Sequence, residues 1–194
     1  MTNICVFCGA NFSGDPALGD AIEQLAEIMV NRNISLVFGG GKVGVMGLLA
    51  DAVLAKGGKA IGVLPRFLME KEIAHPDLTE LHVVENMHQR KQLMSDLSDG
   101  YITLPGGLGT MEEFFEVLTW LQLGLHNKPV GILNVNGFYD MLLNQLDVMV
   151  GQHFLKPVNR ELVLSSVDPI ELISLMDSFQ VDINEGWFRD RNLI

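Results

Sequence analysis

The chain has 194 residues, 48% of them hydrophobic and 19% charged, which suits one globular domain with a sizeable core and excludes a disordered chain. The formal charge of −11, with 13 scattered Lys and Arg, excludes a nucleic-acid surface or an anionic membrane as partner. A small anion held by a helix N-terminus stays compatible with that charge. No apolar run nears the ~20 residues of a membrane helix, and residues 1–8 lack the basic stretch and long apolar core of a signal peptide, so a cytoplasmic protein is expected.

The first strand is expected over residues 4–8 and contains Cys5-Val6-Phe7-Cys8. The C-x-x-C spacing suggests a redox or zinc motif, but on a buried strand residues three apart point to opposite faces. No second cysteine pair or H-E-x-x-H exists, so structural cysteines and no metal are expected. A helix over 16–31 and a strand over 34–38 follow. Next comes Gly39-Gly40-Gly41-Lys42-Val43-Gly44, a G-x-G-x-x-G between a strand and a helix over 45–56. Gly40 and Gly41 either approach a phosphate or form a tight structural turn. An NAD site would usually carry an acid at the end of the next strand, 60–64, which instead runs into Pro65-Arg66. Glu72 follows in a polar stretch, as a ligand-edge acid or an exposed loop acid.

A strand over 81–84 leads into a helix over 87–97, opened by Met87-His88-Gln89-Arg90-Lys91. Arg90 and Lys91 form the only adjacent basic pair of the chain, near a helix N-terminus where the dipole disfavours cations. They either meet an anionic partner or stand solvated. The strand over 101–104 opens into Pro105-Gly106-Gly107-Leu108-Gly109-Thr110-Met111-Glu112-Glu113. Thr110 to Glu113 reads as a capping box for a helix over 111–123. The three glycines before it build a cluster of amides suited to a phosphate, with Glu113 beside the anion.

A strand over 130–133, a helix over 138–150, a short strand over 162–164 and a helix over 169–179 complete the pattern. Phe114, Phe115, Leu118 and Leu121 are spaced for one helix face, with Trp120 and Leu123 off it, so at least a homodimer is expected. Alternating strands and helices predict a single α/β domain over 1–179. It would be a Rossmann-like, doubly wound, mostly parallel sheet of about 6–7 strands with helices on both faces. Residues 180–194 are polar and charged around Trp187-Phe188, and a C-terminal tail, mobile or packed on a partner, is expected there.

These segments together resemble the Lonely Guy (LOG) family of cytokinin riboside 5′-monophosphate phosphoribohydrolases, proteins often labelled lysine decarboxylases. The resemblance rests on Phe38-Gly39-Gly40-Gly41, Gly44, Met46-Gly47, residues 87–91 and a complete P-G-G-x-G-T-x-x-E ending at Glu113. It covers roughly residues 3–175. Cys8-Gly9-Ala10-Asn11 stands where many members have C-G-S-S. The resemblance implies Arg90 and Glu113 as the catalytic pair. It implies substrate contacts at Glu72, Arg90, Lys91, Gly107, Leu108, Gly109, Thr110, Met111, Glu112, Glu113 and Thr119, with no cofactor. The implied reaction cleaves the N-glycosidic bond of an adenine-type nucleoside 5′-monophosphate, in homodimers with the site near the subunit interface. A general AMP nucleosidase and a non-catalytic nucleotide or cofactor carrier stay open as alternatives. A pyridoxal decarboxylase finds no support, because Lys42 and Lys91 sit in settings suited to anions rather than to a Schiff base.

Overall fold

The computed structural model describes residues 1–69 and 74–181. In chain order its elements are β1 (Asn3–Phe7), α1 (Pro16–Asn31), β2 (Ser35–Phe38), α2 (Gly44–Ala55), β3 (Ala60–Pro65), β4 (Glu80–Val84) and α3 (Met87–Asp96). Then come β5 (Gly100–Thr103), α4 (Leu108–Gln122), β6 (Val130–Leu133), α5 (Asp140–Gly151), α6 (Pro157–Arg160), β7 (Val163–Ser166) and α7 (Pro169–Ser178).

The seven strands pair in the order β4-β3-β2-β1-β5-β6-β7, and every pairing is parallel. The expected doubly wound α/β sheet is therefore present. Side chains alternate between two cores as the strand period requires. Ile4, Val6, Leu36, Phe38, Ile102 and Leu104 face α1, α2 and α7. Cys5, Phe7, Val37 and Tyr101 face α3, α4 and α5. The two free thiols thus lie on opposite faces of the sheet, Cys5 in the second core and Cys8 in the first.

The chain builds β1 to β4 outward on one side, then returns to place β5 on the other side of β1. This reversal is the topological switch point, where loops leaving neighbouring strand ends diverge and open a crevice. Here the neighbours are Phe7 and Thr103, and the loops are those leading into α1 and α4.

Several boundaries differ from the sequence expectation. α4 begins at Leu108, three residues before the expected start, with Gly107 as N-cap and no side-chain cap. Thr110 is therefore the third helical residue and buried, so the capping box is not formed. The buried face of α4 is Phe114, Val117 and Leu121, whereas Phe115 lies off it at 36% exposure. α5 starts at Asp140 because a 3₁₀ turn over Val135–Gly137, with Asn136 at φ 51° and Gly137 at φ 69°, turns the chain first. The single-turn α6 has no periodicity to announce it.

Candidate active site

The crevice at the switch point has a volume of about 620 Å³. One wall is the β1–α1 loop from Cys8 to Ser13, continued by Asp15. The other is Pro105, Gly106, Gly107, Gly109, Thr110 and Glu113. Arg90 and Met46 contribute to its floor, and Val135, Asn136 and Phe138 close the far end. The far end is mainly apolar, with Phe12, Leu18, Val45, Val135 and Phe138 as its lining. Asp15 and Asn136 tie the two loops across it, Asn136 Nδ2 donating to Asp15 Oδ2 at 2.9 Å.

The two glycine loops meet different ends. At α2 the amides of Val45 and Met46 both donate to the Gly9 carbonyl, at 3.0 and 3.4 Å. That helix end is thereby occupied by the protein itself. Gly40 and Gly41 are buried, Gly40 with φ 78°, and the segment pairs with residues 74–75: His75 N donates to Gly40 O at 3.0 Å, and Gly41 bridges to Ala74. Neither glycine is on the crevice lining. This geometry fits the tight-turn alternative of the two that the sequence left open for Gly40 and Gly41. At α4 the first turn follows two glycines with no side-chain cap, and Gly107, Leu108 and Gly109 are exposed. First-turn amides have no acceptor within a helix, and the dipole there is positive, so this end suits an anion.

Gly106 makes the approach of the walls close enough. A Cβ there would lie 2.1 Å from Thr110 Oγ1 and 2.9 Å from Gly9 N.

Arg90 is only 6% exposed. Its Nε donates to Val63 O at 3.2 Å and its Nη2 to Gly39 O at 3.1 Å. These bonds leave the ends of β2 and β3 directly beneath the guanidinium. Glu113 is half-buried on the crevice side of α4. The two charges converge on Cys8: burial pushes its thiol well up, Glu113 pushes it further, and Arg90 opposes. Cys8 is thus a protonated wall residue.

The other expected contacts are placed differently. Lys91 Nζ lies 2.6 Å from Glu112 Oε1 and 2.8 Å from Glu116 Oε1, with its side chain 11% exposed. Burial acts against its charge, but the hydrogen bonds it donates to both carboxylates, with their negative charge, outweigh this and its pKa is raised. Neither Lys91 nor Glu112 lines the crevice. The sequence expectation of a substrate-facing Lys91 missed these partners because both are on another element. Thr119 Oγ1 donates to Phe115 O at 2.7 Å on the exposed side of α4, and Met111 and Leu108 are off the lining as well. Glu72 lies outside the described residues. What the sequence did not indicate is the far end: Phe12, Asp15, Asn136 and Phe138 come from two loops distant in sequence, and only the topology joins them.

Fold and crevice define a doubly wound α/β protein with a ligand cleft at its switch point, an anion-ready helix end, one buried arginine and the Glu113 carboxylate on α4. The chain belongs to the Lonely Guy (LOG) family. A family model described as "Possible lysine decarboxylase" matches residues 46–176. A probable cytokinin riboside 5′-monophosphate phosphoribohydrolase of Oryza sativa subsp. japonica is 47% identical over 176 residues, 91% of this chain and 79% of the relative. A cytokinin riboside 5′-monophosphate phosphoribohydrolase of Arabidopsis thaliana is 43% identical over 182 residues, 94% of this chain and 84% of the relative. Among solved structures, the molybdenum cofactor binding protein of Rippkaea orientalis aligns with a TM-score of 0.67 at 24% identity, over 91% of this chain and 95% of that one. The molybdenum cofactor carrier protein of Chlamydomonas reinhardtii gives 0.66 at 20% identity, over 91% and 96%. At these identities both likenesses show the fold alone.

Proposed function

We propose that the protein hydrolyses the N-glycosidic bond of adenine-type, cytokinin nucleoside 5′-monophosphates, releasing free base and ribose 5-phosphate. The observation that carries this reading is the placement of Arg90 and Glu113 on one crevice whose rim is the uncapped N-terminus of α4. The names of the plant relatives support the substrate class.

The 5′-phosphate sits on the first turn of α4, where amides and dipole offset its charge. Anchoring the phosphate draws the ribose over Glu113, so remote binding energy positions the reacting centre. As the C1′–N9 bond breaks, positive charge develops on the ribose ring, and the Glu113 carboxylate stabilises it. Water supplies hydroxide to C1′ and a proton to the departing base. Arg90, always charged, donates hydrogen bonds from its fixed seat rather than acting as the acid. The apolar far end receives an apolar substituent on the base. A pyridoxal-dependent decarboxylase would need a Schiff-base lysine, and among the described residues no lysine lines the crevice.

The same reading takes the protein as a homodimer, supported by the exposed apolar side chains Met141, Val148 and Phe154 on and just beyond α5. It takes the cytoplasm as its compartment, which suits two free thiols.

The test is Glu113→Gln. Removing a single electrostatic stabiliser typically costs on the order of 10²–10³ in rate. Base release should fall by that much while AMP still binds, because the α4 amides are untouched. Near-normal turnover in the folded variant would refute the role given to Glu113.

A further inference from the structure

Five charged residues, four of them adjacent in pairs, carry the inference. On α3, Arg90 turns down to the ends of β2 and β3, and Lys91, one residue on, reaches across to α4. On α4, Glu113 faces the crevice, and Glu112, one residue back, meets Lys91. Glu116 closes the grip from one turn further along. Glu112 and Glu116 are an i, i+4 pair of like charges, a placement unfavourable on an isolated helix unless a cation stands between them. Lys91 supplies that cation, its side chain 11% exposed and Glu116's 24%. The backbones of α3 and α4 scarcely approach one another, so these long side chains span the gap between them.

We propose that Lys91 is a positioning residue: its ion pairs with Glu112 and Glu116 set α3 against α4 and thereby fix the spacing of Arg90 from Glu113. The inference rests on the proposed roles of Arg90 and Glu113. It departs from the expectation that Lys91 touches the substrate. Arg90 is anchored to the sheet by hydrogen bonds to Val63 O and Gly39 O, and α4, which carries Glu113, packs on the sheet mainly through Phe114, Val117 and Leu121. Apolar contacts resist separation more than sliding, because they are non-directional. The Lys91 pairs add a directional restraint that helps hold the crevice end of α4 in register.

The experiment compares steady-state base release from AMP by the wild type, Lys91→Met, Lys91→Arg, the Glu112→Gln/Glu116→Gln pair, and that pair combined with Lys91→Met. A misplacement of about 1 Å costs up to ~10²-fold in rate. Lys91→Met should therefore lose between about tenfold and 10²-fold in kcat, with KM for AMP within about threefold of wild type. The paired glutamine variant should show the same defect, the combination little more, and Lys91→Arg should recover most of the loss. A rise in KM at unchanged kcat would overturn the proposal in favour of a phosphate contact. Full activity in Lys91→Met, or defects that multiply in the combination, would overturn it too. Should Lys91→Met fail to fold, the paired glutamine variant and Lys91→Arg decide by the same criteria. A wild type that releases no base refutes the reading of the site itself, a result visible before any variant is measured.

Discussion

Arg90 keeps a charge where only 6% of it reaches solvent because backbone carbonyls of Val63 and Gly39 accept from it. The seat depends on a missing side chain. A Cβ on Gly39 would lie 2.0 Å from Arg90 Nη2 and 3.1 Å from its Cζ. Gly39→Ala should therefore fold, because a side chain can yield, yet displace the guanidinium. Turnover is expected to fall by at least about tenfold, a change of 1.36 kcal/mol in barrier, with a melting temperature within a few degrees of wild type. Unchanged turnover would show that the seat does not matter. His126 gives a second, acid-sensitive residue. Burial pulls its pKa down to about 4, with Val117 O as its hydrogen-bond acceptor opposing that fall and Lys128 adding to it. Between pH 6.5 and about 4 the unfolded chain binds a proton that the folded chain refuses, so stability rises with pH through this window and is lost on acidification. The effect is on the order of 3 kcal/mol when fully expressed. Denaturant midpoints of the wild type should fall more steeply over that window than those of His126→Gln; parallel curves would contradict it. Residue identity alone separated none of this. Arg90 and Lys91 look alike in the sequence, and only their partners, 27 and 51 residues back for Arg90 and 21 and 25 residues ahead for Lys91, divide them.

At the scale of elements, apolar runs bounded by glycine and polar residues located all seven strands, because a parallel strand covered on both faces has little polar alternation to confuse it. Helix starts were less legible. Thr110 and Glu113 satisfy the capping-box spacing, yet the helix winds back to Leu108, since glycine backbones accept helical geometry once Thr110 is packed against Gly106. The twin glycine loops were also indistinguishable by motif. Only the Gly9 carbonyl, which fills the end of α2 and leaves that of α4, tells them apart. α5 shows a further limit: Leu146 is its sole buried residue, while Met141 is 79% and Val148 49% exposed. Apolar side chains seven residues apart share a helix face, and the proposed homodimer would cover this one with a second copy. Light scattering at micromolar concentration should give at least the dimer mass, and Met141→Glu with Val148→Glu should shift it to the monomer. A monomeric wild type would refute the assembly.

For the molecule as a whole, the proposed substrate requires a chain of net charge −11 to hold an anion against its own field. The fold meets this locally, with one helix N-terminus and one buried arginine converging at the switch point. Those groups match the charge of a monophosphate. A triphosphate brings more charge than they offset, and a plain nucleoside leaves the helix end without its anion and forfeits the positioning energy. Arg90 and Glu113 stood out as a pair only through the family resemblance, whereas the doubly wound class and its crevice edge were legible from the strand pattern and glycine placement. The apolar far end was not, since Phe12 and Phe138 are joined only by strand order. The most direct measurement is base release from AMP, a cytokinin riboside monophosphate, adenosine and ATP at equal concentration, with lysine plus pyridoxal phosphate assayed in parallel. The monophosphates should turn over well above adenosine and ATP, with no cadaverine. Adenosine matching AMP, or cadaverine formation, would contradict a phosphate-anchored glycosidic hydrolysis at this crevice.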